Sequence, residues 1–218
     1  MPRRKRYAHT PKRKRSILKP MLVLFFVVLF VASLGSALAG AVLVRGLPNP
    51  FEISERKVAE STKIYDRTGK ILLYEVHGEE KRTIVPFDRI SQRLKDATIV
   101  AEDFNFYTHA GVDVRSILRA VFVDILSGTK AQGGSTITQQ LVKNAFLTPE
   151  KTITRKIKEA VLSYKIEKSY TKEEIFTFYL NQIPYGSNAY GTEAAAQTFF
   201  DTSASALTLN EAALLAAL

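Results

Sequence analysis

The chain has 218 residues, 46% hydrophobic and 24% charged, with 31 Lys and Arg against 21 Asp and Glu for a net charge of +10. This length suits one or two domains, and the apolar content excludes a disordered, collagen-like or low-complexity chain. Nine of the basic residues (Arg3, Arg4, Lys5, Arg6, Lys12, Arg13, Lys14, Arg15 and Lys19) lie in residues 1–20, which hold no acid. The rest of the chain is close to neutral, so the charge does not support nucleic-acid binding.

The basic tail of residues 1–20 runs into Met21–Val44, MLVLFFVVLFVASLGSALAGAVLV, which has no charged residue. A bilayer core needs about 20 apolar residues, so residues 21–44 read as a transmembrane anchor. The positive-inside rule places residues 1–20 in the cytoplasm and residues 45–218 outside it. Ala37-Leu38-Ala39 also fits the small-residue site of a cleaved signal peptide. The apolar run continues past that point to Val44, which favours an uncleaved single-pass anchor. No cysteine is present, so the exported part uses neither disulfides nor thiol chemistry.

Residues 45–89 read as a connector and small β stalk. Gly46, Pro48 and Pro50 open it, and strand-like runs Thr62–Tyr65 and Ile71–Val76 flank the turn Asp66-Arg67-Thr68-Gly69. A third extended run, Arg82–Val85, ends at Pro86. From Ile90 onward the pattern is helical, and residues 90–218 form the main domain. Asp113 caps a helix with apolar positions at Val114, Ile117, Leu118, Val121, Phe122, Ile125 and Leu126, ended by Gly128. That stripe suits either core or membrane docking. Thr136 and Gln139 form a capping box for a helix that places Ile137, Leu141 and Ala145 on one face. Thr148-Pro149 opens another, with Ile153, Ile157, Ala160, Val161 and Tyr164 as its apolar stripe. Thr171/Glu174 and Thr208/Glu211 are further capping boxes. No βαβ alternation appears, and the fold class is mainly α.

Three polar clusters stand out. The first follows the apolar run Ala97–Ala101: Glu102 and Asp103, then Phe104, Phe106 and Tyr107. A carboxylate beside aromatics can have its pKa raised for acid–base work, and two acids at an exposed helix end read equally as solvated surface. The second is Gln132-Gly133-Gly134-Ser135-Thr136-Ile137-Thr138-Gln139-Gln140, with Lys143 on the face of Thr136. Glycines entering a helix N-terminus offer free N–H groups and the positive dipole end to an anion. The plain alternative is an ordinary turn before a capped helix. In the third, Lys151, Arg155 and Glu159 are spaced by four, opposite the expected apolar stripe, with Lys156 beside them. That row suits a diphosphate, and it also suits a surface ion pair worth about 0.3–0.5 kcal/mol.

Taken in order, these clusters resemble the peptidoglycan glycosyltransferase domain, glycosyltransferase family 51, of class A penicillin-binding proteins and monofunctional transglycosylases. Glu102 to Asp113 matches E-D-x-x-F-Y-x-H-x-G-x-D, and Gly133 to Gln140 matches G-G-S-T-I-T-Q-Q in full. Arg155, Lys156 and Glu159 match R-K-x-x-E; Tyr179-Leu180-Asn181 matches Y-L-N; Glu211 to Ala216 matches E-A-A-L-L-A. The resemblance covers roughly residues 62–218. Phe104 and Asn105 stand where the family often has Arg or another polar residue. The family's domain continues further, so the resemblance implies C-terminal truncation at Leu218.

The resemblance implies a lysozyme-like α-helical fold and the polymerisation of lipid II into glycan strands in bacterial cell-wall synthesis. It implies Glu102 and Glu159 as catalytic residues. Asp103, Ser135, Thr136, Gln139, Gln140, Lys143, Lys151, Arg155 and Lys156 would bind the substrate or its diphosphate. Mg²⁺ or Mn²⁺ at Glu159 would suit an oxygen-ligand site. Partners would be lipid II, the growing glycan strand, the plasma membrane and a cell-wall synthesis complex, with no nucleic acid. Two alternatives stay open: a lysozyme-like enzyme that cleaves peptidoglycan with Glu102 as its acid, and a catalytically silent membrane-anchored scaffold.

Overall fold

The computed structural model describes residues 18–55, 61–76, 81–127, 133–150 and 152–218. The chain divides into two compact units, Met1–Arg45 and Gly46–Leu218. In the first, residues 1–17 of the basic tail lie outside the described residues, and α1 (Leu18–Arg45) is one unbroken helix. Its side chains are described without interruption from Met21 to Gly35, and every one of them is exposed. Side chains 36, 37, 39 and 41–44 of the expected span lie outside the described set. Among the described residues no helix is long and apolar enough to cross a membrane.

The second unit opens with a single helical turn, α2 (Glu52–Glu55). Strands β1 (Thr62–Tyr65) and β2 (Leu72–Val76) then form an antiparallel hairpin. Asp66 holds its turn: Thr68 Oγ1 donates to the carboxylate at 2.6 Å, and the N–H groups of Lys70 and Ile71 donate to it at 3.1 Å. The extended run expected at Arg82–Val85 narrows to β3 (Lys81–Arg82), which pairs in parallel with β4 (Ala189–Tyr190) rather than with the hairpin. Asn181 ties the next residues in. Its side chain accepts from Val85 N and donates to Val85 O, both at 2.9 Å.

Six helices follow: α3 (Gln92–Glu102), α4 (Val114–Ser127), α5 (Ile137–Phe146), α6 (Ile153–Ser169), α7 (Lys172–Gln182) and α8 (Thr192–Phe200). The short α9 (Leu209–Ala216) packs on α3, while α5 sits against both α6 and α7. The mainly helical class expected from the sequence is what forms. All three capping boxes, Thr136/Gln139, Thr171/Glu174 and Thr208/Glu211, have both of their reciprocal hydrogen bonds. The face Ile137, Leu141 and Ala145 is buried, alongside Leu94, Phe106, Leu162, Ile166, Phe176, Leu180 and Leu215.

Two expectations are corrected. Helix α6 starts at the cap Thr152, whose Oγ1 accepts from Arg155 N at 3.1 Å, and not at Thr148-Pro149. Its expected apolar stripe is also not its buried face: Ile153 is 83% exposed, and Ile157 and Tyr164 are exposed too. Glu159, Leu162, Ser163 and Ile166 face inward instead. The reason lies partly in Gly111, whose backbone at φ +86° packs on α6 so closely that a Cβ would meet the Ser163 carbonyl at 2.9 Å. On α4, Val114, Leu118 and Phe122 of the expected stripe are exposed, so these three do not enter the core. The side chains of Val121, Ile125 and Leu126, and Gly128 itself, lie outside the described set.

Candidate active site

The site is built where the C-terminal end of α3 meets the N-terminal end of α5. Glu102 ends α3 and Asp103 caps it, so the two adjacent acids point into different surroundings. Asp103 is buried. Its carboxylate accepts from His109 Nε2–H at 2.8 and 3.0 Å and from Ile137 N–H at 3.0 Å. His109 Nδ1 in turn accepts from Gly111 N–H at 3.2 Å, which assigns the neutral tautomer with its proton on Nε2. Thr136 Oγ1 donates to Gly111 O at 2.7 Å. The 103–113 loop is therefore pinned to α5 by one buried carboxylate and one hydroxyl.

This arrangement changes the reading of the glycine-rich cluster. The N–H of Thr136 donates to Gln139 Oε1, that of Gln139 to Thr136 Oγ1, and that of Ile137 to Asp103. The positive end of α5 is thus occupied by the protein's own anion, as the dipole favours. These three N–H groups are not free for a phosphate. Asp103, Thr136 and Gln139, expected among the ligand-binding residues, are buried and hydrogen-bonded to protein partners, and Asp103 and Thr136 also line a cavity beside Glu102.

Glu102 differs. It is half-buried, and its one protein hydrogen bond among the described residues is to Oε2, from Gln140 Nε2–H at 2.6 Å. Oε1 has no protein donor among the described residues. Glu102 lines two cavities. One, of about 370 Å³, also has Asn105, Ser116, Arg119, Gly133, Gly134 and Ser135 in its wall. The other, of about 180 Å³, adds Thr98, Gln140, Lys143, Asn144, Tyr179 and Tyr185. Burial first, and then the charge of Glu102, push the phenols of Tyr179 and Tyr185 well above their usual range, so both are neutral hydroxyls beside the carboxylate.

Glu159 is buried, 2% exposed, and not on a solvated row. Arg155 Nη1 pairs with its Oε1, and Lys156 Nζ pairs with Oε2 at 2.9 Å. Lys156 also donates to Ser135 Oγ at 2.7 Å, joining this cluster to the wall of the larger cavity. Lys151 lies outside the described residues. At Glu159, where Mg²⁺ or Mn²⁺ is expected, the groups that meet the carboxylate are cationic. Both carboxylate oxygens are taken by cations, and no group of three His, Cys, Asp or Glu comes together among the described residues.

The sequence reading left Asn105, Ser116, Arg119, Asn144, Tyr179 and Tyr185 out of the site. Ser116, Asn105 and two backbone N–H groups bind the Asp113 carboxylate and hold it well below the usual range, which fixes the start of α4. Arg119 one turn on donates to Ser116 Oγ at 3.2 Å. The available signal was the row Ser116, Arg119 and Ala120 on the polar side of an otherwise apolar helix.

A transglycosylase family model matches residues 69–218. The chain is 47% identical to penicillin-binding protein 1A of Aquifex aeolicus over 176 residues, covering 81% of this chain and 24% of that protein. It is 45% identical to penicillin-binding protein 1A of Rickettsia felis over 177 residues, 80% of this chain and 22% of that protein. Against penicillin-binding protein 1A/1B of Bacillus subtilis the identity is 41% over 206 residues, 94% of this chain and 22% of that protein. The chain spans about a quarter of the length of these relatives.

Proposed function

The chain belongs to the transglycosylase family, and from that premise we propose that it is a peptidoglycan glycosyltransferase that polymerises lipid II into glycan strands. In this reading Glu102 Oε1 takes the proton of the acceptor sugar's 4-hydroxyl as that oxygen attacks the anomeric carbon of the donor. The bond to the lipid diphosphate breaks with inversion, and the diphosphate leaves with its electron pair. Such base assistance contributes roughly 10²–10⁴ in rate. The leaving group needs positive charge rather than a proton. Lys143, which shares the smaller cavity with Glu102, is the first candidate to meet it, with Lys151, Arg155 and Lys156 in support.

The observation that carries this reading is the position of Glu102, with one oxygen tied to Gln140 and the other without a donor among the described residues, in the lining of two cavities. Two sugar-bearing substrates must meet at one base, and two adjoining cavities give them room. Peptidoglycan cleavage would use a protonated Glu102 on a neutral glycan and has no use for the cations. Incubating the full chain with lipid II separates these outcomes. Lengthening glycan products are expected. Shortening of preformed strands, or no reaction, would overturn the proposal.

The anchor completes the reading. The anchor rests on the sequence: Met21–Val44 holds no charged residue, and about 20 apolar residues are needed for a bilayer's hydrocarbon core. That uncharged run supports a single-pass plasma-membrane protein with residues 1–20 inside and residues 45–218 outside. The exposed apolar side chains Val114, Leu118 and Phe122 on α4 support contact with the same bilayer, where lipid II resides. A wider cell-wall synthesis complex belongs to this proposal as the setting for the reaction.

A further inference from the structure

Because Glu102 has a single protein hydrogen bond among the described residues, the amide that donates it decides which way the carboxylate faces. An amide has two nearly isosteric ends, and only the NH₂ end can donate to an anion. The other end of Gln140 is not left to solvent. Gln140 Oε1 accepts from the hydroxyl of Tyr179 at 3.4 Å. Tyr179 lies on α7, is 1% exposed and stacks on Phe176 with ring centroids 6.4 Å apart, so its ring is locked by packing. Burial pushes its phenol well above the usual range, so it is a neutral O–H donor around neutral pH.

We propose that Tyr179 is a positioning residue for the transfer reaction: its hydroxyl fixes the Gln140 amide with Nε2–H toward Glu102, and so keeps Glu102 Oε1 turned to the reacting hydroxyl. The inference rests on the reading of Glu102 as the base. It joins three helices, α3, α5 and α7, in one line of side chains. An amide whose carbonyl accepts a hydrogen bond is itself a better donor, so the Tyr179 hydroxyl also strengthens the bond from Gln140 to Glu102. Among the described residues, the other charged and titratable groups around Glu102 are Asp103, Lys143 on α5, Arg119 and Asp113 at α4, and Tyr185 after α7. Replacing Tyr179 by Phe leaves all of them in place.

The test is Y179F in the full chain, alone and combined with Q140A, with lipid II as substrate and rates expressed per folded molecule. Y179F is expected to lower kcat roughly 3- to 10-fold, the weight of one hydrogen bond between neutral groups. KM should stay within twofold. The acid limb of the kcat–pH profile should move to higher pH, since Glu102 holds its proton more readily. In the Q140A background Y179F should change kcat by less than twofold. An equal loss in both backgrounds, or a rate loss with no movement of the acid limb, overturns the inference. Fluorotyrosine at position 179, a stronger donor that keeps the ring, is the second variant, and it should move the acid limb to lower pH; no movement counts against the inference. An active E102Q would instead remove the base reading itself, so the two failures are distinguishable.

Discussion

Replacing Asp103 by Asn keeps the shape of the side chain and changes its chemistry. The carboxylate accepts from His109 Nε2–H and Ile137 N–H, and it is buried. An Asn carbonyl in the Oδ2 position can still accept both donors. Its NH₂ then stands at the Oδ1 position, 3.0 Å from His109 Nε2, donor against donor. His109 can relieve this by moving its proton to Nδ1, but Gly111 N–H then loses its acceptor. Every arrangement leaves at least one buried donor unpaired, at about 1–3 kcal/mol, and gives up charge assistance in two bonds. A total near 2–3 kcal/mol lowers the melting temperature by about 4–12 °C for a domain of this size. The loop that starts next to Glu102 is anchored by the same carboxylate, so turnover per folded molecule should fall about 10- to 100-fold through misplacement of the base. Differential scanning calorimetry and initial lipid II polymerisation rates on one preparation read both quantities. A D103N protein that melts within 1 °C of wild type and turns over within twofold of it would refute this account of the framework.

Arg155→Ala should lower turnover by a factor of roughly 30 to 1,000 if the residue serves the leaving diphosphate. Because Glu159 is buried and keeps Lys156 as a partner, the melting temperature should also fall, by about 2–8 °C for about 1–2 kcal/mol; a rate per folded molecule within threefold of wild type would make the pair purely structural. Asp113→Ala removes the cap of α4 and should cost about 1–2 kcal/mol in urea unfolding at pH 7. Since the Asp113 carboxyl is held well below its usual range, that deficit should be constant above about pH 5 and shrink only as the pH falls below about 4. A deficit that grows on acidification would contradict the sign.

The elements that were legible in the sequence are those fixed locally. Each Thr-x-x-Glu/Gln box sits where its two reciprocal bonds can form within four residues, and the Asp66–Gly69 turn is determined by its own side chains. The face of α6 was not legible, because a backbone contact distant in sequence and the local pairing of a buried acid together decide it. Gly111 presses on the Ser163 carbonyl, and Arg155 and Lys156 neutralise Glu159 so that it can turn inward. The pairing of β3 with β4 joins residues about a hundred positions apart and leaves no periodic mark. In the site, the motifs drew attention to segments that line these cavities, yet periodicity could not separate Glu102, which lines both, from its neighbour Asp103, held by His109 and Ile137. Nor could spacing reveal that Gln140 and Tyr179 line up behind Glu102.

The most direct test of the central claim is the turnover of E102Q with lipid II. Gln keeps the side chain's shape and removes the base, while Asp103, His109 and the capping box of α5 still hold the framework. The expected result is an unchanged melting temperature, lipid II binding close to wild type, and a rate of glycan lengthening reduced by at least about 10². An E102Q protein that lengthens glycan strands within about threefold of the wild-type rate would contradict the assignment of Glu102 as the general base.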